Sequence, residues 1–272
     1  MRHIIAHGHI FKNAGSTFDW SLQRGFGEAF LDHRDDQTMR QQKAKEVARI
    51  VADSGAIKAF SSHHLHSELP SVEGVVFAPV YLIRHPIARL ASVYRFERKQ
   101  DAQTPGARMA KELSFKEYVR WRLEPETPPT IKNYQCRYLA GMLTMRNERV
   151  VGPVRFDAAL ATLRNTRCVG IVEDYDRSMV LFEASLKPNF PELDLAYVIQ
   201  NTTQTAETTF DDKIAAVLDE LDDLAPTVLR ANTFDLALYE YAVGLLQHRF
   251  AALSDGESRL TEFRSRCDAL HS

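Results

Sequence analysis

Apolar and polar positions alternate from the first residues of the chain. Ile5, His7, His9 and Phe11 fall on one side of an extended segment, with Ile4, Ala6 and Ile10 on the other. Such period-two alternation predicts a strand. It breaks at Lys12-Asn13-Ala14-Gly15-Ser16-Thr17 and passes into a helix-like stretch, FDWSLQRGFGEAF. A second run, VVFAPVYLIR at 75–84, is rich in β-branched and aromatic residues, as a buried strand is. Pro86 behind it suits the first turn of a helix, where its missing N–H is not needed. Between the two, residues 37–54 repeat apolar positions at helical spacing, with Val47, Ile50 and Val51 on one side, and 57–62 predict a short second strand. Downstream, 113–123, 131–145, 153–163, 175–186, 211–224 and 232–253 read as helices, 255–270 as a last helix or a partner-binding tail, and 166–172 as another core strand. ERKQDAQTPGARMAKEL reads as a mobile loop, EPETPPT as a helix breaker and NTTQTAETTF as a polar connector. Strands alternating with helices predict a three-layer α/β fold, a central parallel sheet flanked by helices, with further helices at the C-terminal end. No second boundary is visible, so 1–272 reads as one domain, with 246–272 its helical extension.

The first strand, loop and helix form a layout that holds phosphate. Free backbone N–H groups and the positive end of the helix dipole converge on the loop, and Lys12 adds a full charge. The order is not that of a Walker A loop, which needs Gly-Lys-Ser/Thr in succession; here the Lys precedes the Gly. Taken alone, the segment is equally compatible with an ordinary strand–turn–helix. A second candidate anion site follows the strand at 75–84. Arg84 stands at its end, and Arg89 and Ser92, three apart, share a face of the following helix. A guanidinium fork and a hydroxyl suit a second phosphate-like group. Two such sites at the carboxyl ends of parallel strands fit a ligand with two separated anionic groups.

A third feature lies beyond the strand at 57–62, in Ser61-Ser62-His63-His64-Leu65-His66. An imidazole titrates near neutrality and can take a proton from a hydroxyl. The same histidines also fit a polar loop in which they are merely solvated or capping, and the spacing does not decide between these. His7, His9, His63, His64 and His66 could supply zinc ligands, but no Cys or carboxylate stands at ligand spacing among them, so no metal is expected.

Composition narrows the setting. Lys and Arg number 34 against 36 Asp and Glu, a net charge of −2, which gives no general attraction to nucleic acid or anionic membrane. With 44% hydrophobic and 26% charged residues, the chain is that of a folded globular protein. Cys136, Cys168 and Cys267 form neither a disulfide framework nor a metal spacing, which suits a reducing compartment. No run reaches the roughly 18 apolar residues of a membrane span, and no signal peptide precedes the first strand.

Together these segments resemble the sulfotransferases that use 3′-phosphoadenosine 5′-phosphosulfate, most closely their carbohydrate branch. Its loop, His-Ile-Pro-Lys-x-Gly-Gly-Thr-Ser, is matched by His9-Ile10-Phe11-Lys12-Asn13-Ala14-Gly15-Ser16-Thr17, and its Arg-Asp-Pro-x-x-Arg-x-x-Ser-x-Tyr by Arg84-His85-Pro86 with Arg89, Ser92 and Tyr94. Weaker echoes are Asn133-Tyr134-Gln135, Arg137 to Gly141, Val169 to Glu173, and Leu238-Tyr239, so the resemblance spans about 3–245. Phe11, Ala14 and His85 depart from the usual Pro, Gly and Asp, and none removes an anion-binding group.

The resemblance implies a P-loop-like fold and sulfuryl transfer to a carbohydrate or glycolipid hydroxyl, leaving adenosine 3′,5′-bisphosphate, without a metal. By register it makes His63 the base, with His66 the runner-up and His64 third. Lys12 and residues 13–17 (Asn13, Ala14, Gly15, Ser16, Thr17) would hold the 5′-phosphosulfate, and Lys12 would also stabilise the leaving phosphate. Arg84 and Ser92 would hold the 3′-phosphate, supported by Arg89. Anchored members of this branch sit in the Golgi lumen; with no anchor here, a bacterial, cytoplasmic enzyme is expected. The competing readings are a nucleotide-dependent kinase, disfavoured by the loop order and by the lack of a clear magnesium carboxylate, and a nucleotide-binding protein without catalysis.

Overall fold

The computed structural model describes residues 1–141, 151–198 and 209–270. Strands β1 (Arg2–Gly8), β2 (Phe30–Asp32), β3 (Ala59–Ser62), β4 (Val75–Ile83) and β5 (Cys168–Ile171) form one sheet of order β2-β3-β1-β4-β5, with every pairing parallel. The described helices are α1 (Gly15–Phe26), α2 (Asp36–Gln42), α3 (Ala44–Asp53), α4 (Pro86–Lys99), α5 (Pro105–Glu112), α6 (Phe115–Leu123), α7 (Tyr134–Leu139), α8 (Pro153–Asn165), α9 (Tyr175–Leu186), α10 (Phe210–Leu221), α11 (Ala225–Ala231), α12 (Thr233–Ala251) and α13 (Gly256–Ala269).

The period-two pattern decides which helices cover which face. Ile5, Ala59, Val80, Leu82 and Cys168 pack on one side against Phe18 and Leu22 of α1, Met179 and Phe182 of α9, and Leu260 and Phe263 of α13. Their neighbours point the other way. Ile4, Ala6 and Phe60 meet Met39, Val47 and Ile50 of α2 and α3, while Tyr81, Ile83, Val169 and Ile171 meet Leu139, Leu163 and Leu238 of α7, α8 and α12. A fully buried side chain of this size contributes about 1.5–3 kcal/mol, so these two layers supply most of the driving force. A satellite cluster of Leu90, Val93, Ala110, Tyr118, Val119 and Val228 joins α4, α5, α6 and α11 beside the sheet.

Three expectations are corrected. The first helix ends at Phe26, and Phe30–Asp32 forms an edge strand that pairs only with β3 (Phe30↔Ala59), a length too short to carry a period of its own. The helix at 37–54 is two helices, broken at Lys43, whose φ of 53° is left-handed. The mobile loop at 97–113 contains α5. Pro105 fills its first turn, the Thr104 side chain accepts from the Ala107 N–H, and Ala107 and Ala110 are buried. Glu97, at the start of that stretch, is itself buried and paired with Arg122 at 2.6 Å. Of the helix expected at 131–145, α7 covers Tyr134–Leu139, while 131–133 and 140–141 are not helical; residues 142–145 lie outside the described residues, as do 201–208 of the polar connector.

Candidate active site

The parallel register aligns the carboxyl ends of all five strands. Gly8 stands opposite Ser62 and Tyr81, Asp32 opposite Ser61, and Ile83 opposite Ile171. The residues that follow, Arg34, His63, the loop at 9–17, Arg84 and Glu173, therefore share one edge of the sheet. In open α/β sheets this is the edge where ligands bind.

The loop is wound tightly through two left-handed residues, Lys12 (φ 65°) and Ala14 (φ 57°). Each costs a side-chain-bearing residue about 1–2 kcal/mol, so the loop persists only because it is held in place. Asn13 holds it from below: its buried Nδ2 donates to the Leu82 carbonyl at 2.7 Å and to Gln135 Oε1 at 2.6 Å. Gln135 also accepts from the Arg84 N–H at 2.9 Å and donates to the Arg84 carbonyl at 2.8 Å, which ties the loop to the end of β4. Arg89, fully buried, donates through Nε to the Phe11 carbonyl and through Nη1 to the Thr130 carbonyl, and lies over the Tyr134 ring at 4.2 Å. Burial lowers its pKa to about 10, so it remains charged at neutral pH. Its support for the site passes through the loop.

The Asn13 N–H is taken by the Ile10 carbonyl and the Thr17 N–H by that of Ala14, whereas Ala14, Gly15 and Ser16 have no backbone acceptor for their N–H groups among the described residues. These three open α1, where such donors and the helix dipole favour an anion. Ser16 is exposed and Thr17 half-buried, both at the start of this helix. Gly15 is required by contact rather than by conformation: a Cβ there would stand 2.3 Å from His9 Nε2.

Cations gather around this helix start. Arg84 donates through Nη1 to the Lys12 carbonyl at 2.9 Å. Its Nε is buried without a hydrogen-bond partner and lies 3.9 Å from Glu173 Oε1. Burial depresses the Arg84 pKa, with Arg95 adding repulsion and Glu173 opposing both. Lys12 is pushed down to about 8, by burial first and then by Arg84 and Arg95. Its Nζ sits 4.4 Å from the centre of the Phe96 ring. Arg95 and Phe96 were not singled out from sequence; the signal was there, since Ser92 and Arg95 are three apart on α4 and so share its face. Half-buried Ser92 lies on the same helix. Glu173 accepts from the His85 N–H at 3.2 Å, and its pKa is raised by burial, against the pull of Arg84.

The three histidines behind β3 separate clearly. The His63 ring lies 4.1 Å from that of His9, and its Nδ1 is 3.0 Å from the His9 carbonyl. Because that carbonyl can only accept, Nδ1 carries the proton and Nε2 the lone pair. Arg34 Nη1 donates to this Nε2 at 2.9 Å. Burial, then the neighbouring His9, lowers the His63 pKa and keeps the ring neutral. His66 lies further along the chain with its Nδ1 3.3 Å from the Tyr138 carbonyl and its ring 4.8 Å from that of Tyr138. His64 points towards Asp36, 3.7 Å away, and burial pushes it down to about 4.

His7 and His9 lie beneath the loop on either side of Asp19, a residue sequence reasoning missed because a helical carboxylate carries no signal of its own. Asp19 Oδ1 is 2.7 Å from His7 Nδ1, and Oδ2 is 2.9 Å from His9 Nδ1; Ser61 Oγ is 3.0 Å from His7 Nδ1. Asp19 is thus the carboxylate that the sequence spacing did not reveal beside these histidines, and the three residues' ligand-type atoms all lie within 4.8 Å of one another. Ligands of one tetrahedral zinc stand about 3.4 Å apart, given bond lengths near 2.1 Å. The separations to Asp19 are shorter, so the contacts are hydrogen bonds donated by the two imidazoles.

No helix among the described residues is long and apolar enough to cross a membrane. The profile of the sulfotransferase family matches residues 1–242. A protein of Archaeoglobus fulgidus, itself uncharacterized, is 30% identical over 255 residues, covering 92% of this chain and 99% of its own length. With its parallel sheet, its phosphate-type loop and a family match over nearly its whole length, the chain belongs to the sulfotransferase family.

Proposed function

We propose that the protein moves the sulfuryl group of 3′-phosphoadenosine 5′-phosphosulfate to a hydroxyl of a carbohydrate or glycolipid by in-line displacement. The observation that carries the donor half is the grouping of Lys12, Arg84 and Arg95 beside a loop whose Ala14, Gly15 and Ser16 N–H groups have no backbone acceptor, with the buried Arg84 Nε lacking an acceptor. That set suits a ligand with two phosphate-like groups. The donor brings an activated sulfuryl group; the rest is positioning and electrostatics.

Lys12, the N–H groups of Ala14 to Ser16 and the Ser16 and Thr17 hydroxyls hold the phosphosulfate, while Asn13 holds the loop in shape. Arg84 and Ser92 hold the 3′-phosphate, with Arg95 beside them and Arg89 bracing from behind. Lys12 neutralises charge that grows on the phosphate oxygen as the S–O bond breaks, which is help aimed at the transition state. His63 Nε2, neutral and carrying its lone pair, takes the hydroxyl proton once Arg34 has moved off it. A positioned base of this kind contributes about 10²–10⁴ in rate.

The test is transfer of ³⁵S from the donor to a panel of sugars and glycolipids, with magnesium and γ-labelled ATP over the same panel. Label on a hydroxyl with the sulfuryl donor alone is expected. Label arriving only from ATP would overturn the reading in favour of a kinase, and label arriving from neither would leave the proposed transfer without support on these acceptors.

A further inference from the structure

A carboxylate behind an anion site is electrostatically out of place. Asp19 is buried at 6% exposure on the inner face of α1, one turn beyond Gly15, and both its oxygens are engaged by imidazole Nδ1 atoms. With the His9 ring neutral, the Asp19 carboxylate stands beside the loop without a cationic partner in that ring. The half-exposed Arg34 offers partial compensation, its Nη2 3.8 Å from Asp19 Oδ2, but it is also bound to Asp32 at 2.6 Å and to His63. The His9 ring connects this charge to the loop. Its Nδ1 is committed to Asp19, while its Nε2 edge lies against Gly15, where it fills the place of a Cβ.

Resting on the donor reading above, we propose that His9 is a donor-binding histidine: neutral in the free protein, it takes up a proton when the phosphosulfate or the product bisphosphate settles on the loop. The imidazolium then donates through Nδ1 to Asp19, cancels the buried charge, and presents a cationic Nε2–H at the start of α1. This arrangement couples the anion to the carboxylate through one ring, as a buried carboxylate supports an imidazolium in hydrolytic triads. The groups facing His9 are His7 from β1, Asp19 from α1, Arg34 from beyond β2 and His63 from beyond β3. Burial, His7 and Arg34 favour the neutral ring and Asp19 the charged one, so an arriving dianion supplies the missing attraction.

The test is calorimetry with adenosine 3′,5′-bisphosphate at pH 7.0 in buffers of different ionisation enthalpy, on the wild type and on His9→Asn, whose amide can still donate to Asp19. Lys12, at about 8, is already some nine-tenths protonated at this pH and has little further proton to gain. The wild type is expected to take up close to one proton per ligand, about 0.8 or more. His9→Asn should lose most of that uptake and bind about tenfold more weakly. Nitrogen-15 spectra of the wild-type imidazoles provide a readout that needs no variant, and should show His9 becoming doubly protonated on saturation. Binding with equal uptake in both proteins, or a His9 that stays neutral in the spectra, overturns this inference and leaves the donor reading standing. Failure of the wild type to bind the bisphosphate overturns both.

Discussion

The two sides of the site, which the proposed function assigns to donor and acceptor, are built differently. At the donor side every element is anchored by buried groups: Asn13 and Gln135 lock the loop to β4, Arg89 braces Phe11, and Asp19 fixes His7 and His9. At the acceptor side, His63 is held by a single backbone carbonyl and by the exposed guanidinium of Arg34. A rigid anion cradle beside a lightly held base suits an enzyme that must bind one donor in one geometry yet admit a bulky hydroxyl partner. On the proposed reading, orientation is imposed at the loop that would hold the phosphosulfate, while His63 as base could shift by the width of a displaced side chain.

The largest expected effect separates the two sides. His63→Ala should lower turnover by about 10²–10⁴ while the Kd for bisphosphate changes by no more than about threefold. Retained turnover would move the base to His66 or to the acceptor itself. Lys12→Ala should do the reverse, weakening bisphosphate binding by about 10- to 100-fold through loss of a charge-assisted contact. Binding should also depend on pH through the same residue. In the free protein Lys12 gives up its proton near pH 8, and the anion favours the charged form. Affinity is therefore full below that pH and falls by about tenfold per unit above it, a slope absent in Lys12→Ala. Gln135→Leu tests the bracing: it leaves one N–H of Asn13 Nδ2 and the Arg84 N–H unpaired, which should cost about 1–3 kcal/mol of stability and loosen the loop without touching His63. The smallest effect is a gain. Ala14→Gly relieves a left-handed alanine and should raise thermal stability by about 1 kcal/mol.

The same contrast explains what could be read from the sequence. The strand–loop–helix at 3–17 and the Arg84-to-Ser92 segment were legible because backbone periodicity and fixed spacing put their chemistry next to their own secondary structure. The parallel sheet followed from the same alternation. Asp19 and Arg34 were not legible as site residues. Each reaches the site from an element whose place is set by tertiary packing, and a helical Asp or an exposed Arg looks the same in sequence whether or not it faces a ligand. Arg89 shows the converse: its spacing with Ser92 placed it correctly on α4, but only packing reveals that it is buried beneath the loop. β2 was missed for a third reason, since three residues carry too little pattern to register against the helix before them.

The measurement that bears most directly on the central claim is calorimetric titration of the protein with adenosine 3′,5′-bisphosphate, with magnesium-ATP as the control. The arrangement of Lys12, Arg84 and the helix start predicts tight binding of the bisphosphate without added metal, and much weaker binding of ATP. Preference for magnesium-ATP, or no binding of the bisphosphate, would contradict it.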